Sequence, residues 1–299
     1  MKFTTTQIAA LALTAALAPI AQAAVAVDAN IETNTTKQAN TDLTNDGRVE
    51  VNAVANLAKS GDYFVTAKGT LGLRLTTDSN QDNTYVDDAW IQFGSSKADM
   101  KIGRHEAADL FPLGKDTLVV TAGSVSGYKA NTLRGRVTTG ALHAVVGVNL
   151  SKTRLELGLV TKKDTNAYGL RPTVVYTDGP LTLRAGIESI HTKGATSQTG
   201  LGISAGYAVN NMTFNGNFAK NKDLNASSLG LNMVMGDLGL GLIQDKDTQV
   251  KHTTNTVYAA YSFPLLNVPG ATITPAISNS RSTGVKSVSA VRVRLNYAF

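Results

Sequence analysis

With no cysteine in 299 residues, 27 glycines and only 7 prolines, the chain is excluded from the small disulfide-stapled scaffolds and must hold its fold by hydrogen bonding and packing. Its 28 basic against 22 acidic residues give a formal net charge of +6, a surplus too small and too scattered to indicate nucleic acid. No apolar run beyond the N-terminal segment is long enough for a transmembrane helix.

In chain order, Lys2 precedes an uncharged apolar run from Ile8 to Ile20, which ends on Ala21-Gln22-Ala23. The three regions predict a secretory signal peptide over 1–23, cleaved after Ala23, which leaves 24–299 as the folded chain with a net charge of about +5. The run is too short for a comfortable membrane anchor.

From Ala24 onward, apolar residues recur at a spacing of two rather than 3.6, the period of strands. Val49, Val51, Ala53, Ala55 and Leu57 form one row, and Tyr63, Val65, Ala67, Gly69, Leu71, Leu73 and Leu75 form the next, which is long for a soluble strand. Further rows lie at Leu181 to Ile187, Leu201 to Tyr207, Met212 to Phe218, Leu229 to Met235 and Val257 to Phe263. Short turns at Lys59-Ser60-Gly61, Asp178-Gly179-Pro180, Val209-Asn210-Asn211 and Met235-Gly236-Asp237 alternate with polar loops at 35–46, 77–83, 191–198 and 246–252.

The count of strands is about sixteen, the even number of a closed outer-membrane barrel with short periplasmic turns and longer extracellular loops. Residues 131–166 admit two readings, with either NTLRGRVTT as a strand and RLELGL in a loop, or the reverse. A soluble sandwich of ~250 residues is the competing architecture. Charges on the polar rows suit a wet lumen, and the alternating connections suit one closed sheet. Tyr63, Phe93, Tyr207, Phe263, Tyr297 and Phe299 gather beside the predicted periplasmic turns as an interfacial girdle. The expected class is therefore an all-β transmembrane antiparallel barrel, closed by VRVRLNYAF, in which Val291, Val293, Leu295, Tyr297 and Phe299 face lipid and pair with the strand beginning near Ala24.

The leader, the segment DDAWIQFGSSKADMKIGRHE at 87–106 and the terminal phenylalanine after an alternating apolar row resemble the general porins of Gram-negative bacteria. That resemblance implies sixteen strands and a homotrimer. It also implies a third extracellular loop that leaves the wall after a Gly-Arg step, here Gly103-Arg104, and folds into the pore. By this likeness the constriction loop is 106–130, and Glu106, Asp109 and Asp116 are its acidic side. The same likeness implies that Tyr297 and Phe299 form the signal read by the barrel-assembly machinery.

Alternation places Arg48, Lys68, Arg74, Lys101, Arg134, Arg136, Arg292 and Arg294 on the inward basic wall. Arg104 joins them by its motif, on condition that a bulge near Gly103 turns it inward. Phe64 and Trp90 on the strands and Phe111 and Tyr128 on the loop are the candidate lumen aromatics.

Asp42 begins a calcium-like run, but its twelfth position is Ala53, so an EF-hand is not expected. Asp78, Asp82, Asp87 and Asp88 are a looser oxygen-donor group. The four histidines show no metal spacing, no Ser/His/Asp grouping stands out, and neither cofactor, metal site nor enzymatic activity is expected. The leading expectation is an outer-membrane channel for passive diffusion of small hydrophilic solutes, with a weak anion preference. A carbohydrate-selective pore and a non-conducting structural or adhesive barrel are its rivals.

Overall fold

The computed structural model describes residues 24–75, 83–115, 127–136, 141–162 and 166–299. The predicted leader, nearly all of the loop at 77–83 and Asp116 lie outside the described residues. Extended chain dominates: β1 (Val25–Gln38), β2 (Leu43–Ser60), β3 (Tyr63–Arg74), β4 (Thr84–Gly94), β5 (Ala98–Arg104), β6 (Ala141–Leu150), β7 (Thr153–Lys162) and β8 (Ala167–Asp178) make the first half. The second half is β9 (Leu181–Thr192), β10 (Gln198–Val209), β11 (Met212–Asn221), β12 (Ala226–Met235), β13 (Leu238–Asp247), β14 (His252–Tyr261), the two-residue β15 (Phe263–Pro264), β16 (Ala271–Ser282) and β17 (Val288–Ala298).

Each strand pairs antiparallel with its neighbours, and β15 prolongs β14 against β16. β17 returns to β1 in a register that sets Arg294 opposite Asn34 and Tyr297 opposite Ile31. The sheet is thus closed into sixteen staves without a free edge, and every interior strand finds its ladder on both sides. Residues 131–136 belong to the connection after β5, whereas RLELGL lies within β7, which settles the two readings of 131–166 in favour of the second.

Period two sorts the side chains. Val51, Leu71, Ile203, Leu231, Val257 and Ile277 project outward and are exposed, while Ser204, Asn217, Thr254, Thr256 and Ser280 face inward and are buried. A soluble sandwich would show the opposite sorting, with its apolar rows inside. The aromatic girdle stands as predicted: Tyr63, Phe93, Tyr207, Phe263, Tyr297 and Phe299 are all exposed at the end that carries both termini.

One expectation about the loops needs correction. Strands continue into 35–38, 43–46, 191–192, 198 and 246–247, leaving connections as short as 39–42, while the turn at 265–270 on the other end is longer than its neighbours. Polar residues at the strand tips masked the strand pattern, yet they still form ladders, as where the Thr35 hydroxyl donates to Asn45 Oδ1 at 2.8 Å.

Replacing outward Leu231, in the middle of β12, by arginine should cost about 2–4 kcal/mol of folding free energy in lipid vesicles, read by urea titration. An unchanged midpoint and slope would show that the position does not face lipid.

Candidate pore constriction

β5 ends where Gly103 takes φ +123°, with its Cα packed so tightly on β4 that an added Cβ would meet the carbonyl of Ala89 and sit 2.8 Å from Trp90 Cα. A residue with a side chain could neither adopt that angle easily nor fit. The chain then leaves the wall, and its outgoing and returning limbs pair as a narrow neck. The Ala107 amide donates to the Arg134 carbonyl at 2.7 Å, and the Arg136 amide to the His105 carbonyl at 3.0 Å. Arg104 donates from Nε to the Val86 carbonyl and from Nη1 to the Arg136 carbonyl, both at 2.9 Å. It therefore ties the returning limb to β4.

Behind the neck, the His105 and His143 rings stack with centroids 4.1 Å apart and planes 11° from parallel. Burial first, and then the neighbouring His143, push the His105 pKa down to about 3. This ring is accordingly neutral across the physiological range.

Beyond the neck the described residues of the loop, up to Lys115 and from Gly127 on, lie against the inner faces of β8 to β14. Lumen-facing glycines make room for it. A Cβ at Gly230 would stand 2.8 Å from the Phe111 ring, and one at Gly202 would stand 2.6 Å from Ala130 Cβ and 3.0 Å from Leu110 Cβ. Leu110, Phe111, Tyr128 and Ala130 are buried there with Ala219, Ile243 and Tyr258.

Hydrogen bonds fix the register of this packing. Asn217 and Asn232 both donate to the Pro112 carbonyl, at 2.8 and 2.7 Å, and the Tyr258 hydroxyl donates to the Leu113 carbonyl at 2.9 Å. At the centre is Glu188, wholly buried on β9. It accepts from the Tyr128 hydroxyl at 2.8 Å, from the Thr132 and Leu133 amides at 3.2 and 2.8 Å, and from Arg171 Nε at 3.2 Å. Arg171 in turn donates from Nη2 to the Ala130 carbonyl at 3.1 Å and to Asn131 Oδ1 at 3.2 Å.

The facing wall is a set of paired charges. Arg48 lies 3.3 Å from Glu50 and 3.8 Å from Glu32, and Arg294 lies 3.4 Å from Glu32 while donating to Asn34 Oδ1 at 3.0 Å. Lys68 meets Asp88 at 2.8 Å, and Arg154 meets both Asp99 and Glu156 at 2.7 Å. Arg74 lies over the Tyr85 ring at 5.0 Å, and Lys101 over Trp90 at 4.3 Å. Arg292 shares the inward row of Arg294 on β17.

Three expectations are corrected by this geometry. Arg134 and Arg136 stand on the returning limb of the loop and not on a wall strand, because Gly135, at φ +130° and packed against His143, breaks the alternating pattern there. Arg134 then neutralises the loop's own acids, at 3.2 Å from Glu106 and 3.6 Å from Asp109. Phe111 and Tyr128 are buried between loop and wall, so they offer no aromatic face to a passing solute.

Arg136 lies 3.0 Å from each of Asp87 and Asp88, which engages the two described members of the oxygen-donor group. Sequence reasoning also missed Glu32, Glu50, Glu156, Arg154 and the Arg171–Glu188 pair. All fall at inward positions, so parity applied to carboxylates as well as to cations would have found them.

A profile of the porin-like glycoporin RafY family matches residues 22–156, just under half of the chain. No curated protein sequence matches. Among solved structures, a triple mutant of the Rhodopseudomonas blastica porin aligns with a TM-score of 0.67 at 12% identity, covering 92% of this chain and all of that one. A loop L8 deletion mutant of OmpT, an outer membrane protein of Vibrio cholerae, aligns with a TM-score of 0.63 at 14% identity, covering 93% and 99%. The likeness to Gram-negative outer-membrane porins holds in fold and in family profile.

Glu188→Ala should strip the loop of three acceptor contacts and leave Arg171 buried without its carboxylate. The expected loss is about 3–5 kcal/mol of loop attachment, seen as protease cleavage within 106–136 while the barrel stays folded. A loop as resistant as in the parent would show that the anchor lies elsewhere.

Proposed function

We propose that this chain, a closed barrel of porin fold, is an outer-membrane channel for passive diffusion of small hydrophilic solutes and ions. In this reading the leader is removed on export and both termini face the periplasm. A C-terminal row ending in Tyr297 and Phe299 is presented to the assembly machinery, and three copies associate. The observation that carries the reading is the loop packed on one half of the inner wall, opposite a half lined by hydrated, paired charges. Solute passes between the two with its water largely replaced by wall groups, and no cofactor is required.

Charge pairing limits how strongly the pore sorts ions. Arg48, Lys68, Arg154 and Arg294 each have a carboxylate beside them, so their fields largely cancel beyond a Debye length of about 8 Å. Lys101 and Arg184 have no ion-pair partner among the described residues, and they support a weak preference for anions. Glu106 and Asp109, with Asp116 beyond the described residues, supply a weaker opposing field than the sequence pattern implied.

A second reading, a saccharide-selective pore, draws on two observations. One is the glycoporin family profile. The other is the inward set of Phe64, Tyr85 and Trp90 on adjacent β3 and β4, three rings beside which a sugar could pass, although Arg74 lies over Tyr85 and Lys101 over Trp90.

In planar bilayers with a salt gradient, the anion-to-cation permeability ratio should exceed one but stay within about fivefold, roughly 1 kcal/mol. Glu32→Gln should raise it and Arg294→Glu should lower it. Strong cation selectivity would defeat the proposed preference, and current blockage by an oligosaccharide but not by other solutes of equal size would favour the saccharide pore.

A further inference from the structure

Where bases meet acids along the wall of β1 to β7 and β17, the acid lies deeper than the base. The Arg48 side chain is 44% exposed against 11% for Glu50, Lys68 is 25% exposed against 7% for Asp88, and Arg154 is 30% exposed against 5% for Asp99. Arg294 likewise stands further out than Glu32. On the loop, Arg134 shows no such layering against Glu106 and Asp109. A solute touching this wall therefore meets N–H donors first, held in place by the carboxylates beneath them.

The same bases sit against rings. Arg74 lies 5.0 Å over Tyr85, Lys101 lies 4.3 Å over Trp90, and Lys68 stands directly opposite Trp90 in the β3–β4 ladder. The Tyr85 ring lies across Gly72, where a Cβ would clash with it, and its hydroxyl donates to Glu50 at 2.9 Å. Arg48 is directly opposite Arg74 on β2 and β3, a like-charged pairing that an anion between them would relieve. Lys68 and Arg74 are six positions apart on β3, on the order of 20 Å. Arg48, Arg74 and Tyr85 thus stand towards the loop end, and Lys68, Trp90 and Lys101 towards the end that carries both termini.

A cation lying over a ring keeps a neutral sugar off that face and gains nothing by moving aside. A carboxylate changes the balance, because a charge-assisted hydrogen bond is stronger than the hold of a cation on a partly exposed ring. The cation then turns to the carboxylate, and the freed ring takes the C–H face of the sugar that carries it.

We propose that this wall is a binding track for short oligosaccharides of carboxylated sugars, uronates in chemical class. Its two stations are Arg74 with Tyr85 and Lys101 with Trp90. One sugar ring is too short to reach both stations, whereas a short oligomer spans them. The track rests on the saccharide reading of the pore and narrows it from sugars in general to acidic ones.

The test is single-channel recording of the full-length protein in planar bilayers. Trigalacturonate, maltotriose and tricarballylate, the last a tricarboxylate without a sugar ring, are added in turn. Trigalacturonate should half-block the current at a concentration roughly tenfold below that needed for either control. The double variant Arg74→Gln with Lys101→Gln should lose that advantage. The charge-keeping variant Arg74→Lys with Lys101→Arg should retain it, which separates loss of charge from misfolding. Equal block by maltotriose, equal block by tricarballylate, or an unchanged preference in the glutamine variant would overturn the track. Channels that neither sugar blocks would overturn the saccharide reading and the track with it, and a parent that forms no channels would overturn the diffusion pore on which both depend.

Discussion

Glu188 has no solvent exposure and accepts four hydrogen bonds, three of them from the loop that crosses the lumen. Burying a carboxylate is costly unless its lone pairs are matched, and the guanidinium of Arg171 together with two backbone amides and a tyrosine hydroxyl meets that requirement. The arrangement is poor evidence for extra stability, since an apolar pair of similar size could pack as well. Its consequence is positional: only one placement of residues 128–133 satisfies the carboxylate. The lumen's shape follows from that placement, because glycines at 186, 202 and 230 leave space there for Leu110, Ala130 and Phe111.

With the loop held on β8 to β14, the solute path is left to the opposite wall, and its electrostatics differ from those of a pore with acids on one side and bases on the other. Acid and base alternate along the same wall, as in the run Glu32, Arg48, Glu50 with Arg294 alongside. Such partly exposed pairs contribute little to stability, roughly 0–1 kcal/mol each. They do hold long side chains in fixed rotamers, and a fixed polar lining presents a passing solute with the same donors and acceptors each time. The outer face follows a different rule, being apolar through the middle, with its strand cations, such as Lys37 on β1 and Lys246 on β13, near the loop end.

The wall was legible in the sequence because lipid and lumen impose a period of two on every strand. Val291, Val293 and Leu295 could be assigned outward, and Arg292 and Arg294 inward, from spacing alone. The loop was legible at its start, where Gly103-Arg104 marks the departure from β5. Its return was not. The run Thr132-Leu133-Arg134-Gly135-Arg136 alternates as a strand does, and what prevents a strand is the fit of Gly135 against His143, a contact made only once the chain has folded. For the same reason Phe111 and Tyr128 read as lumen aromatics, since nothing local shows that glycines three or more strands away will receive them. The loop lengths were overestimated because polar strand tips and true loops share a composition.

That the loop rests against β9 and β10, and does not swing across an open lumen, is tested most directly by a cross-link. The chain has no cysteine, and Leu110 Cβ lies 3.0 Å from the position of a Cβ on Gly202, a few tenths of an ångström short of the ~3.5–4.5 Å that a disulfide spans. The triple variant Leu110→Cys, Gly202→Cys and Ala130→Gly, the last removing the Cβ that would otherwise lie 2.6 Å from the new one at position 202, should oxidise readily, and its single-channel conductance should be the same before and after reduction. Failure to cross-link, or a conductance that rises on reduction, would contradict a loop fixed to that wall.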